Sequence, residues 1–237
     1  WLLRHQGGEG DVFAEDAREK NTALLGYGVN VNLAPVCDVS TDSASFIYDR
    51  TLGLDAAATA DYVERVTAAM RDCGIGSVLK HFPGYGDNAD THTGIARDKR
   101  PMEAFLGSDF LPFRAGVQAG AGTAAVLVAD NFVDCMVPEL RASLSPAVHA
   151  VLREQLGFDG VVMTDDLAME AVAAYAGGGA AAVMALEAGN DLVITTDYRT
   201  QIPRVVEAVE SGALSEAVLD GACRRVLTWK QALGLIE

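Results

Sequence analysis

The chain has 237 residues, half of them apolar, and its 33 acidic against 18 basic side chains give a formal charge of −15. That length and apolar content suffice for one well-buried domain and exclude a disordered tail. The negative balance repels phosphate backbones, so the expected partner is a neutral or cationic substrate and not nucleic acid. No run approaches ~18 continuous apolar residues, so no transmembrane segment is expected. Cys37, Cys73, Cys135 and Cys223 lie far apart among apolar neighbours, with no C-x-x-C pair. They are expected to be reduced core thiols rather than a disulfide framework. No signal-peptide pattern is visible, and the chain opens on Trp1, so the natural N-terminus is expected upstream.

In chain order, Gly7-Gly8-Glu9-Gly10 reads as a loop. Val12, Ala17, Leu24 and Leu25 recur near helical spacing over Asp11 to Tyr27, and Gly28 stands where a C′ glycine closes a helix. Val29 to Val36 alternates and then meets Pro35, predicting a strand that ends in the long loop Cys37 to Gly53. Loops of that length in compact domains tend to carry function. A second amphipathic helix is predicted over Asp55 to Cys73, stopped by Gly74, and Ile75 to Leu79 is the next strand. A helical region interrupted around Pro112 runs from Pro101 to about Ala119, followed by a buried strand over Ala124 to Ala129. Ser145-Pro146 starts a helix to about Leu156, and Gly160 to Thr164 is a strand delivering Asp165 and Asp166. Met169 to Ala188 is expected to be helical around a break at Gly177-Gly178-Gly179. A fifth strand over Asp191 to Thr195 precedes helices at Ile202 to Val209 and Ser215 to Leu233.

Short apolar strands alternating with helices mark a parallel sheet wrapped by helices. Five strands are counted where a closed (β/α)8 barrel needs eight and usually ~250 residues. The pattern therefore leaves two architectures: a five-stranded doubly wound sheet, or a TIM-type barrel lacking its first three strands.

A parallel sheet brings its C-terminal strand ends to one face, where sites are built. The richest end is Lys80-His81-Phe82-Pro83-Gly84-Tyr85-Gly86-Asp87-Asn88-Ala89-Asp90-Thr91-His92-Thr93-Gly94, which holds two of the chain's four histidines. Arg50, Asp130, Asn131, Asp165 and Asp166 come from other strand ends. Glycoside hydrolysis needs one carboxylate to attack the anomeric carbon and a second group to pass a proton both ways. Asp165 and His92 suit those roles, with Asp90 placed to polarise the imidazole. A metal-assisted hydrolase could use His81, Asp90, His92 and Asp165 as ligands, but neither His-x-His nor His-x-x-x-His occurs, so no metal is expected. The Gly84-x-Gly86 turn is too short for a phosphate cradle and supplies turn geometry instead. Asp38 reads as structural, and His5 and His149 as ordinary surface or packing residues.

Lys-His-Phe-Pro-Gly-x-Gly followed by Asp-Thr-His resembles the signature of family 3 glycoside hydrolases of the bacterial β-N-acetylhexosaminidase type. Asn32 to Val39, Asp49-Arg50-Thr51-Leu52-Gly53, Leu156 to Val162, Thr164-Asp165-Asp166-Leu167-Ala168-Met169 and Ala188-Gly189-Asn190-Asp191 match as well, so the resemblance covers nearly the whole chain. The Asp-x-His pair separates this type from the β-glucosidases of the family. The resemblance implies residues 1–237 as a single catalytic (β/α)8 barrel domain, N-terminally incomplete, acting through a covalent glycosyl-enzyme without cofactor. It implies Asp165 as nucleophile, His92 as acid/base and Asp90 as its partner, with Arg50, Lys80 and His81 on the sugar hydroxyls. The implied substrate is an oligosaccharide from peptidoglycan or chitin with a terminal N-acetylglucosamine. A glycoside phosphorylase, a β-glucosidase and a truncated sugar-binding barrel remain as alternatives, and the compartment stays open between bacterial cytoplasm and cell envelope. Two departures are visible: the family's Asp-x-Glu-Gly-Gly strand end is not matched by Gln6-Gly7-Gly8-Glu9-Gly10, and Asp130 and Tyr85 stand where relatives often carry histidine.

Overall fold

The computed structural model describes residues 11–86, 96–167 and 180–237. The first helix, α1 (Val12–Gly26), starts where the Asp11 carboxylate accepts the Ala14 N–H. It ends as the glycine predicted. Gly28 takes φ +80°, its N–H bonds the Leu25 carbonyl, and the Val29 N–H reaches back to Leu24, a Schellman closure. The same logic bounds α2 (Ala56–Cys73), capped by Asp55 and closed by left-handed Gly74. Thr59, Val63, Val66, Thr67 and Met70 form its buried stripe at helical spacing.

The five expected strands are present as β1 (Val31–Asn32), β2 (Gly76–Phe82), β4 (Ala124–Val128), β7 (Val162–Asp166) and β8 (Leu192–Ile194). They form one parallel sheet in the order β1-β2-β4-β7-β8. Each strand is added on the same side of the last, as in barrels, and the order never reverses as a doubly wound sheet requires. The doubly wound alternative is thereby set aside in favour of a half-barrel sheet with β1 and β8 at its edges. β1 is shorter than the predicted strand. The cis Ala34–Pro35 bond lies beyond it, and the chain stays against β2 through the Val78 N–H to the Ala34 carbonyl and the bridge between Val36 and Lys80.

A small second sheet joins β3 (Arg97–Asp98), β5 (Phe132–Val133) and β6 (Val137–Arg141), parallel between the first two and antiparallel between the last two. Sequence reading missed it, because β3 and β5 have two residues each and β6, interrupted by Pro138, shows no clear alternation. The helical stretch after Pro101 comprises α3 (Met102–Ala104), one π-helical turn over Phe105–Asp109, and α4 (Phe110–Gly120). The irregularity precedes Pro112, which sits in the first turn of α4 where its missing N–H costs nothing. The remaining helices are α5 (Pro146–Ala150), extended by a π-helical turn over Val151–Gln155, then α6 (Ala181–Ala188), α7 (Tyr198–Glu210) and α8 (Glu216–Ala232). The predicted Met169 to Ala188 helix is described only in its last part.

Alternation along the strands sends residues to two cores. Leu79, Phe82, Val126, Val128 and Val162 pack with Val63, Phe110, Phe113 and Leu152 on the face covered by α2, α4 and α5. The Phe82 ring stacks on Phe110 at 5.4 Å and meets Phe113 edge-on at 5.2 Å. On the opposite face Val78, Ala125, Leu127, Val161 and Met163 pack against Trp229 of α8. Each such large side chain contributes about 1.5–3 kcal/mol by leaving water. Among the described residues no helix is long and apolar enough to cross a membrane.

The cysteines only partly follow expectation. All four are unpaired, but Cys37 alone is buried, while Cys135 and Cys223 are exposed. On α8 Cys223 follows buried Ala222 and is turned by ~100° from it, so apolar sequence neighbours did not put it on the core face.

Candidate active site

The site is built at the C-terminal ends of the sheet strands. Alternation places Lys80 two residues beyond Val78, and Asp165 two beyond Met163, on the sheet face that α8 covers further down. Lys80 is partly buried. Burial first, and then the neighbouring Arg50 charge, hold its pKa below the usual lysine value, against the opposing pull of Asp165 and Asp38. Asp38, Arg50, Lys80 and Asp165 thus share one electrostatic neighbourhood, although 127 positions separate the first from the last (165 − 38).

Arg50 closes a 3₁₀ turn over Tyr48–Arg50 in the long loop after β1. Its Nη2 donates to His81 Nε2 at 3.1 Å. His81 Nδ1 lies 2.8 Å from Asp38 Oδ2, which also accepts the His81 backbone N–H at 3.1 Å. A guanidinium can only donate, so His81 Nε2 accepts and the ring proton sits on Nδ1, facing Asp38. The second Asp38 oxygen accepts the Tyr85 N–H at 2.9 Å. Asp38 is therefore a fully buried anchor with three N–H donors, and it fixes both the ring orientation and the tautomer of His81. Sequence reading placed Asp38 outside the site. The available signal was its position just past β1, next to the strand end that carries His81.

The Gly84 and Gly86 backbone runs against a buried ion cluster. A Cβ on Gly84 would lie 2.4 Å from Asp109 Oδ1, and one on Gly86 2.6 Å from the Arg100 guanidinium carbon. Both residues also have positive φ, +116° and +53°, so no other residue fits either position without strain.

Asp165 Oδ1 accepts the following N–H, that of Asp166, at 2.8 Å, and Asp166 Oδ1 accepts the Thr196 N–H across to the β8 loop. One strand away, Asp130 is fully buried. Its Oδ1 accepts the Ser143 hydroxyl, and its Oδ2 has no partner among the described residues. Burial, reinforced by the charges of Asp165 and Asp166, pushes its pKa up to about 7 against the Ser143 bond. The next side chain, Asn131, is buried, and neither of its amide atoms has a partner among the described residues.

The structure therefore brings together Arg50, Lys80, His81 and Asp165, and adds Asp38 and Asp130. Asp90 and His92 lie outside the described residues. Among the described residues no group of three or more His, Cys, Asp or Glu side chains is arranged to hold a metal ion. A cavity of about 560 Å³ lies on the other side of the Arg50 turn, between α1 and α2. Several of its polar groups already pair with each other, Lys20 with Asp16 and Asn32 with Asn21.

Comparison with known proteins places this geometry. The model for the glycosyl hydrolase family 3 N-terminal domain matches residues 10–229. The chain belongs to glycosyl hydrolase family 3. A β-hexosaminidase of Xanthomonas campestris pv. campestris (strain B100) is 37% identical over 205 residues, 85% of this chain and 60% of that protein. The family 3 β-N-acetylglucosaminidase of Paenibacillus sp. str. FPU-7 superposes with a TM-score of 0.88 at 32% identity, over 94% of this chain and 44% of that one. The β-N-acetylhexosaminidase of Beutenbergia cavernae gives 0.82 at 31%, over 94% and 68%. This family 3 chain spans about 60% of the length of the curated relatives it matches. The half-barrel sheet agrees with the folds of these family 3 structures.

Proposed function

We propose that this chain carries the catalytic face of a retaining β-N-acetylhexosaminidase that removes terminal, non-reducing N-acetylglucosamine from peptidoglycan- or chitin-type oligosaccharides. The observation that carries the reading is the convergence of Arg50, Lys80, His81 and Asp165 from three separate chain segments onto one end of a parallel sheet, in a family 3 chain whose relatives are named as β-hexosaminidases and β-N-acetylglucosaminidases. The five strands, added in chain order, are read as the later strands of an eight-stranded (β/α) barrel whose first three lie outside this chain.

In this mechanism the Asp165 carboxylate attacks the anomeric carbon as the glycosidic C–O bond breaks, giving a covalent glycosyl-enzyme. His92 hands its proton to the departing oxygen, then takes one from the water that hydrolyses the ester, and Asp165 leaves as the carboxylate. Asp90 orients the His92 ring. Arg50, Lys80 and His81 hold the sugar hydroxyls, Arg50 and Lys80 as cations. With its Nδ1 proton committed to Asp38, His81 reaches a sugar hydroxyl through Nε2, in exchange for the bond that Nε2 accepts from Arg50. The chemistry calls for no metal or organic cofactor.

The test is hydrolysis of an aryl β-N-acetylglucosaminide by the chain. Asp165→Ala is expected to lower turnover on the order of 10³-fold or more. His92→Ala should lose ~10²-fold or more on poor leaving groups and much less on activated aryl ones, which need no proton. Equal losses for His92→Ala on both would remove it from the acid/base role. Binding of N-acetylglucosamine without any turnover would favour the sugar-binding reading.

A further inference from the structure

Arg100 stands between β3 and α3, and its guanidinium lies against the Gly86 backbone. Its Nε and Nη2 donate to Asp98 Oδ2 at 2.9 and 2.8 Å, and its Nη1 and Nη2 donate to the two Asp109 oxygens at 2.9 and 3.0 Å. Both carboxylates are buried, and the guanidinium lies 4.4 Å over the Phe105 ring. Burial works against the Arg100 charge, but the hydrogen bonds and charges of the two aspartates outweigh it and drive its pKa up. The result is an ionic plate in which four of the five guanidinium N–H groups face the two carboxylates.

Gly84 and Gly86 rest directly on that plate, one against Asp109 and the other against the guanidinium. Between them Tyr85 turns its N–H to Asp38 Oδ1, and its ring meets His81 edge-on at 5.2 Å. Asp38 in turn holds the His81 Nδ1 proton, and His81 Nε2 receives Arg50. We propose that Arg100 is a positioning residue for the sugar-binding face: its plate sets the height of the Gly84–Gly86 backbone, and through Tyr85 N–H and Asp38 it fixes the His81 tautomer and the aim of Arg50. The sugar-binding half of this statement rests on the function proposed above, whereas the relay does not.

A lysine keeps the charge but cannot span two carboxylates in one plane. Arg100→Lys should therefore tilt the plate and loosen the relay. The readout is the ring ¹⁵N pattern of His81 in ¹⁵N-histidine-labelled full chain, assigned by loss of the signals in His81→Asn. The natural chain is expected to show Nδ1 protonated and Nε2 bare. Arg100→Lys should shift both signals toward a tautomer mixture and weaken N-acetylglucosamine binding about tenfold. Asp109→Asn, an isosteric change that removes one arm of the plate, serves if the lysine variant does not fold and should move the ring signals in the same sense. Arg225→Lys, which disturbs a separate pair with buried Asp191, should leave the His81 pattern unchanged. A folded Arg100→Lys or Asp109→Asn with the natural His81 pattern would overturn the proposal, as would an equal shift in Arg225→Lys. If the pattern moves but neither the natural chain nor the variants bind N-acetylglucosamine, the relay stands and the sugar reading falls.

Discussion

Asp38 shows how one buried carboxylate organises a polar site. It accepts three N–H groups, two from His81 and one from Tyr85, which compensates for burying a charge. Asp38→Asn turns an acceptor oxygen into an NH₂ that must face one of those donors. We expect a loss of about 2 kcal/mol, read from the urea midpoint at unchanged slope, with weaker N-acetylglucosamine binding. Lys80, His81 and Asp165 stood out in the sequence as polar chemistry at the ends of apolar strands, and Arg50 as a basic residue in the long loop after β1. Asp38 was legible as a strand-end acid and no more, since what it bonds is set by a neighbouring strand 43 residues away.

At the scale of elements, the last helix has the task of closing one sheet face. Trp229 of α8 fills the space over Val78, Leu127 and Met163, and its indole N–H donates to the Thr123 carbonyl at 2.8 Å. Trp229→Ala should cost about 3–5 kcal/mol through the cavity it leaves. Trp229→Phe should cost less, about 1 kcal/mol, mainly from the lost indole hydrogen bond, since the Thr123 carbonyl keeps the Ser77 N–H. Equal losses for the two would assign the effect to the hydrogen bond rather than to packing. Helix ends at Gly28 and Gly74 were readable because capping is local chemistry. The small β3-β5-β6 sheet was not, because its strands exist only where residues 97–98 and 132–141 meet.

For the whole molecule, the acidic balance makes pH the natural lever on stability. Asp130 is held near 7 in the folded chain against an ordinary 3.8, so between about pH 4 and 7 the native state keeps a proton that the unfolded chain gives up. Its contribution is fully present below pH 4 and is lost as the pH rises through 7, at up to about 1.4 kcal/mol per pH unit. Asp130→Asn, which stays neutral, should flatten the stability profile in that window, measured by urea unfolding at several pH values. An unchanged profile would mean that Asp130 is ionised throughout. The same buried, half-partnered carboxyl lies one strand from Asp165, so this titration also alters the field at the proposed nucleophile.

The amino-acid sequence alone determined the succession of helices and parallel strands, the helix caps, and the strand ends that carry polar side chains. These follow from periods and capping residues spanning a few positions. The tertiary structure decided the strand order that separates a half-barrel from a doubly wound sheet, and the exposure of Cys135 and Cys223. It also decided the relay from the Arg100 plate through Tyr85 and Asp38 to His81 and Arg50. Those contacts join residues 31 to 47 positions apart, and they form only once packing has brought separate strand ends side by side, which no local period records.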